Sequence, residues 1–136
     1  MSFSLSKRSY NRLKDVDFSL IRLCDLAIKR TPIDFGVAYL GGMRIAAEQN
    51  DLFKAGFSTK DGYQKYSKHQ LGRAVDLMPF VGGTSVESEQ LSNIIAGVVF
   101  SCASELNLNI RWGGNWANDA DPRDNGFRDL YHFELI

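Results

Sequence analysis

The chain has 136 residues, of which 44% are hydrophobic, and its sixteen Lys and Arg are matched by sixteen Asp and Glu. That length suits one compact domain that buries roughly two-thirds of its unfolded surface. Zero net charge gives no long-range field toward nucleic acid or anionic lipid, and no stretch approaches the ~20 apolar residues of a membrane span. The opening MSFSLSKRSYNRLKDVDF also lacks the apolar core of an export signal, so the chain is expected to be made in the cytoplasm as a soluble protein.

In chain order, residues 6–29 read as a helix, broken near Asp15 to Asp17 and closed by the RTP triplet, because proline disfavours helix in the residue before it. Leu20, Leu23, Cys24, Ala27 and Ile28 follow the spacing of a buried helical face. Residues 33–40, IDFGVAYL, read as a short strand that turns at Gly41 and Gly42. A second helix is expected over 44–54, with Gly56 as its left-handed stop. The polar stretch 58–68 contains the turn signal KDGY, and 73–80, RAVDLMPF, reads as a strand ending at Pro79 and the Gly82-Gly83 turn. The clearest helix is 88–106, with the apolar stripe Leu91, Ile94, Ile95, Val98, Val99, Cys102 and Leu106. A strand over 108–112, a long loop GGNWANDADPRDNGFRD and a closing strand LYHFELI complete the chain.

No repeat or linker divides these elements, and residues 1–136 are read as a single domain. Helices at the start and middle, with strands clustered elsewhere, predict an α+β fold: an antiparallel sheet with helices packed on one side, its strand order not readable. The two cysteines, Cys24 and Cys102, fall in helical stripes and read as small core residues. A disulfide between them is disfavoured for a cytoplasmic chain. The acids of NDADPRDNG do not meet the EF-hand template, since counting from Asp119 puts Arg123 at position five and Asp124 at position six. That loop is read as a solvated turn.

Chemistry concentrates around the only two histidines, each of which has carboxylates nearby: SKHQLGRAVDL holds His69 and Asp76, and DLYHFELI holds Asp129, His132 and Glu134. In a strand, His132 and Glu134 share one face, while Tyr131, Phe133 and Leu135 take the other, apolar one. Seven residues of unbroken strand would put His69 and Asp76 on opposite faces, so the chain must bend between them, and Gly72 offers the place. Ala74 shares the face of Asp76 and leaves room there. Two histidines and one carboxylate, with a fourth position open to water, form the donor set of a catalytic zinc site. Spacing alone favours the plainer reading of two ordinary surface or hydrogen-bonded histidines. Asp129 is placed where a carboxylate can accept a proton from water acidified by a metal to a pKa of ~7. Arg44, after the double glycine, is a candidate for a substrate carboxylate or an oxyanion, or else a solvated first-turn residue.

Taken together, these segments resemble a known family. SKHQLGRAVDL is similar to the SxHxxGxAxD motif of the zinc peptidases that include D-alanyl-D-alanine dipeptidases and carboxypeptidases and the phage L-alanyl-D-glutamate endolysins. DLYHFEL resembles their second motif, GGMRIAAEQNDLFKAG their arginine segment, and RWGGNW their late tryptophan-glycine segment, with Asn115 where relatives often have Asp. The resemblance implies a hedgehog-like or D-Ala-D-Ala-peptidase-like fold with one Zn²⁺ on the open face of the sheet. It implies His69, Asp76 and His132 as ligands, Asp129 as general base and later proton donor, Arg44 as oxyanion and substrate contact, and Ser67 as a substrate hydrogen-bonding residue. Trp112 and Trp116 are candidates for the cleft wall or, for Trp112 at least equally, the core.

The function so implied is a monomeric endolysin that hydrolyses the L-alanyl-D-glutamate bond of the peptidoglycan stem peptide through a water on zinc. It would need neither nucleic acid nor membrane, would carry no separate wall-binding module, and would reach the cell wall through a separate pore. The rivals are a D-alanyl-D-alanine dipeptidase or carboxypeptidase with the same metal chemistry, and a zinc-containing binding module without turnover.

Overall fold

The computed structural model describes residues 2–124 and 126–136; Asn125, within the expected long loop, lies outside them. The expected break in the first helix is present. Helix α1 (Lys7–Arg12) starts at Ser6, whose side chain accepts from the Ser9 N–H, and ends before Asp15, which adopts a left-handed backbone at φ 68°. Asp17 then caps α2 (Phe18–Arg30) by accepting from the Ser19 N–H at 2.8 Å. Helix α3 (Ala46–Lys54) is followed by Gly56 at φ 84°, the expected left-handed stop. Helix α4 (Glu89–Glu105) is capped by Ser88.

Helices α2 and α4 pack on each other and supply most of the helical half of the core. The buried face of α2 is the one its periodicity predicts. That of α4 is rotated slightly from the expected stripe: Ile95, Val99 and Cys102 are buried, Ile94 is exposed, and Ser92, Ala96 and Ala103 go inside instead. Small side chains let a helix approach its neighbours closely, which a count of large apolar residues does not register. Both cysteines are free and buried, as expected, and burial pushes the Cys24 thiol up to about 12.

Among the described residues, five strands form one antiparallel sheet: β1 (Asp34–Val37), β2 (Ala74–Val81), β3 (Thr84–Ser85), β4 (Ile110–Trp112) and β5 (His132–Leu135), with spatial order β1-β2-β5-β4 and β3 paired to β2. Strand β3 has no counterpart in the sequence reading, since a two-residue hairpin return is too short to show a period. Strand β2 continues through Pro79, whose carbonyl still accepts from Val86 N at 2.9 Å. Alternation decides the two faces. Val75, Leu77, Phe133 and Leu135, with Phe35, Val37 and Ile110, enter the core beneath the helices. Trp112 packs against that core, stacked on Phe133, and its Nε1 donates to Leu130 O at 2.9 Å. Ala74, Asp76, His132 and Glu134 occupy the other face. Among the described residues, no helix is long and apolar enough to cross a membrane.

Candidate metal centre

His69 reaches the open face from a 3₁₀ turn, Lys68–Leu71, rather than from a loop running straight into β2. Ser67 caps this turn: its Oγ accepts from Gln70 N at 3.3 Å, while its own N–H donates to Gln70 Oε1 at 3.0 Å. Gly72 closes the turn in the left-handed region, at φ 68° and ψ 21°. This is the bend the sequence required, and a Cβ there would lie 2.9 Å from Asp15 O. Two residues later the chain enters β2, where Asp76 stands directly opposite His132 of β5. Partners directly opposite in an antiparallel ladder point to the same face, so register alone brings these two side chains together.

The result is a nearly equilateral triangle. His69 Nε2 lies 3.2 Å from His132 Nδ1 and 3.3 Å from Asp76 Oδ1, and His132 Nδ1 lies 3.2 Å from the same Oδ1. Ligands about 2.0–2.1 Å from a tetrahedral zinc are separated from one another by roughly 3.3 Å, so the three atoms fit that ion. Each of the three side chains, which could together hold a metal ion, is also held from behind. His69 Nδ1 lies 2.9 Å from Gly42 O, which fixes the proton on Nδ1 and turns a bare Nε2 toward the centre. His132 Nε2 lies 2.9 Å from Glu134 Oε1. The Arg44 guanidinium donates through Nη2 to Asp76 Oδ2 at 3.2 Å, leaving Oδ1 for the centre.

Burial opposes charge on Asp76, but His69 and His132 beside it hold its carboxyl well below the usual range. Burial likewise favours neutral His132, yet Asp76 and Glu134 push it up to about 9. Asp129 sits just before β5, where its N–H donates to Gly113 O at 2.9 Å and its Oδ1 accepts from Tyr131 N. Gly113 permits this approach, since a Cβ there would fall 2.1 Å from Asp129 O. Burial, and then the charge of Asp76, raise the Asp129 carboxyl above its ordinary value, against the lowering effect of the two histidines. Arg44, Ser67, His69, Asp129 and His132 all line one cleft of about 700 Å³.

The family model described as phage L-alanyl-D-glutamate peptidase matches residues 1–136. The chain belongs to that family. It is 28% identical to the L-alanyl-D-glutamate peptidase of Escherichia phage T5 over 141 residues, covering all of both chains. It also matches the crystal structure of the Serratia marcescens L-Ala D-Glu endopeptidase ChiX, with a TM-score of 0.80 and 28% identity over all of this chain and 90% of that one. The antiparallel sheet with helices is thus the fold of an L-Ala D-Glu endopeptidase.

In this peptidase five of the six residues singled out in the sequence line one cleft, and the sixth, Asp76, is tied to them through Arg44 and the two histidines. Arg44 is not a solvated helix residue. It lies before α3, is largely buried, and donates to Leu40 O at 2.6 Å and Gln49 Oε1 at 3.0 Å as well as to Asp76. Burial lowers its pKa against the raising effect of Asp76 and Asp129.

Three supports escaped the sequence reading. Gln49 is fully buried, with Oε1 on Arg44 and Nε2 donating to Ser58 Oγ and Lys60 O. Its signal was faint: a polar residue at a core spacing of α3. The Gly42 carbonyl carries no side-chain signal at all. Glu134 was placed on the face of His132 by period two, and its role as that ring's partner follows from the 2.9 Å contact. In the long loop the sequence reading as a solvated turn agrees with the exposure of Asp119 and Asp121, the latter paired with Arg123.

Proposed function

We propose that this peptidase is a single-domain, monomeric endolysin in which one zinc ion, held by His69, Asp76 and His132, serves hydrolysis of the L-alanyl-D-glutamate bond of the peptidoglycan stem peptide. The observation that carries the reading is the triangle of candidate ligand atoms 3.2–3.3 Å apart beside a half-buried carboxylate, Asp129, of raised pKa. When bound, the zinc would supply a Lewis acid that lowers the pKa of water toward ~7 and polarises a carbonyl.

The remaining chemistry belongs to the side chains. Asp129 accepts the proton of the attacking water, and its raised pKa suits it to return that proton to the departing amine. Arg44 holds Asp76 in a one-oxygen pose and adds positive potential where charge develops on the carbonyl oxygen. Ser67 Oγ uses a lone pair on the Gln70 N–H, which leaves its hydroxyl proton to donate to the substrate. The chain is made in the host cytoplasm and acts on the cell wall after release through a separate pore. The test is metal analysis of the purified protein together with the products from purified peptidoglycan. One zinc per chain and new N-terminal D-glutamate are expected. Released D-alanine would instead indicate a D-alanyl-D-alanine enzyme, and bound zinc without cleavage a binding module.

A further inference from the structure

The row of the sheet beside the metal-binding residues is also polar. Arg111 of β4 stands opposite Glu134 of β5, which stands opposite Ala74 of β2. These three cross the open face one pleat repeat, about 7 Å, from Asp76 and His132. Arg111 lines the same cleft as the ligands, and its side chain is 36% exposed. Its Nη1 lies 3.9 Å from Glu134 Oε2, an ion pair too long for a hydrogen bond, and its buried Nε finds no acceptor among the described residues. Glu134 meanwhile directs Oε1 to His132. On the same wall, Trp116 leans over His132 with ring centroids 5.2 Å apart, and its buried Nε1 also lacks an acceptor among the described residues. Lys68, another of the cations lining the cleft with Arg44 and Lys60, donates to Leu135 O at 3.2 Å.

The donor fork of Arg111 is therefore open on a face where Arg44, Lys68 and both histidines are engaged. A planar guanidinium with free parallel N–H groups matches a carboxylate. Resting on the proposed function, the residue on the amine side of the scissile bond is a glutamyl group. Glutamate has two carboxyls, and only one of them can carry the peptide onward. The other remains a carboxylate close to the scissile nitrogen. We infer that Arg111 binds this free carboxylate and is the residue by which the enzyme selects glutamate at that position.

The test compares N-acetylated L-alanyl-D-glutamate, L-alanyl-D-glutamine and L-alanyl-D-isoglutamine as substrates. For the wild-type protein, amidating one of the two carboxyls should lower kcat/KM about 10- to 100-fold, the usual worth of a hydrogen bond to a charged group. Arg111→Gln should lower the rate on the free acid by the same factor while leaving that amide's rate and the zinc content unchanged. Arg111→Lys should recover part of the loss, and Arg22→Ala, which removes an exposed charge on α2, should keep the wild-type ranking. Equal wild-type rates on all three peptides, or an equal fall on all three in Arg111→Gln, would overturn the inference, the latter pointing to a purely structural pair with Glu134. If the wild-type protein cleaves none of them, the proposed reaction fails instead. Calorimetric titration of zinc-loaded protein with D-glutamate and its two mono-amides then decides: a preference for D-glutamate that Arg111→Gln abolishes sustains the subsite, and equal affinities reject it.

Discussion

Removing Glu134 should weaken metal binding without touching a ligand. A histidine that coordinates through Nδ1 must carry its proton on Nε2, and Glu134 Oε1, 2.9 Å away, is the acceptor that holds it there. Both side chains are buried, so in Glu134→Ala the Nε2–H is left without its partner and the ring is free to take other poses. A hydrogen bond to a charged acceptor is worth about 1.5–3 kcal/mol, and loss of such a support lowers metal affinity roughly 10- to 100-fold. Those two scales agree, since about 1.4 kcal/mol is tenfold. Glu134→Gln keeps a carbonyl acceptor without the charge and should fall between the wild-type protein and Glu134→Ala. The assay is competition for zinc against a chelator of known affinity, with circular dichroism to confirm the fold. Unchanged affinity in folded Glu134→Ala would refute the reasoning, because it would show that His132 does not depend on its second nitrogen.

Three further outcomes are expected. Asp129→Asn should retain zinc but lose about 100-fold or more of its turnover, the usual share of a general base, and steady-state rates beside metal analysis will show whether the two separate. Gly72→Ala, which forces a side chain into a φ of 68° and against Asp15 O, should cost about 1–2 kcal/mol in chemical denaturation and weaken zinc binding through His69; a neutral result would mean the 3₁₀ turn relaxes freely. In the metal-free protein the pairing of His132 with Asp76 and Glu134, with a pKa raised to about 9 from an unfolded value near 6.5, stabilises the fold fully below pH ~6.5 and is lost as pH rises through about 9. The same proton must leave before Nδ1 can bind metal, so apparent zinc affinity should climb up to about tenfold per pH unit between ~6.5 and 9, and a flat profile would remove His132 from the ligand set.

The site was more legible than the fold that carries it. His69, Asp76 and His132 could be read as ligands because metal chemistry restricts residue types, and Gly72 because few residues adopt a left-handed backbone without strain. The break near Asp15 to Asp17 and the helix from Ser88 were legible, the caps at Asp17 and Ser88 appearing only in the structure, and the strand faces followed from period two. The buried face of α4 was misjudged because close packing there uses Ser92, Ala96 and Ala103, which carry little hydrophobic signal.

Residue type and local period thus outlined the helices and the apolar faces from the sequence alone, and the family resemblance picked out His69, Asp76 and His132 as a candidate donor set. Only tertiary structure decided that Asp76 pairs with His132 across β2 and β5, that Gly42 O and Glu134 hold the two rings, and that Arg44 is tied to Gln49 and Asp76 rather than left in solvent. The physical reason is separation along the chain. His69 and His132 are 63 positions apart and Arg44 and Asp76 are 32, and no local propensity reports which distant strands will share a register.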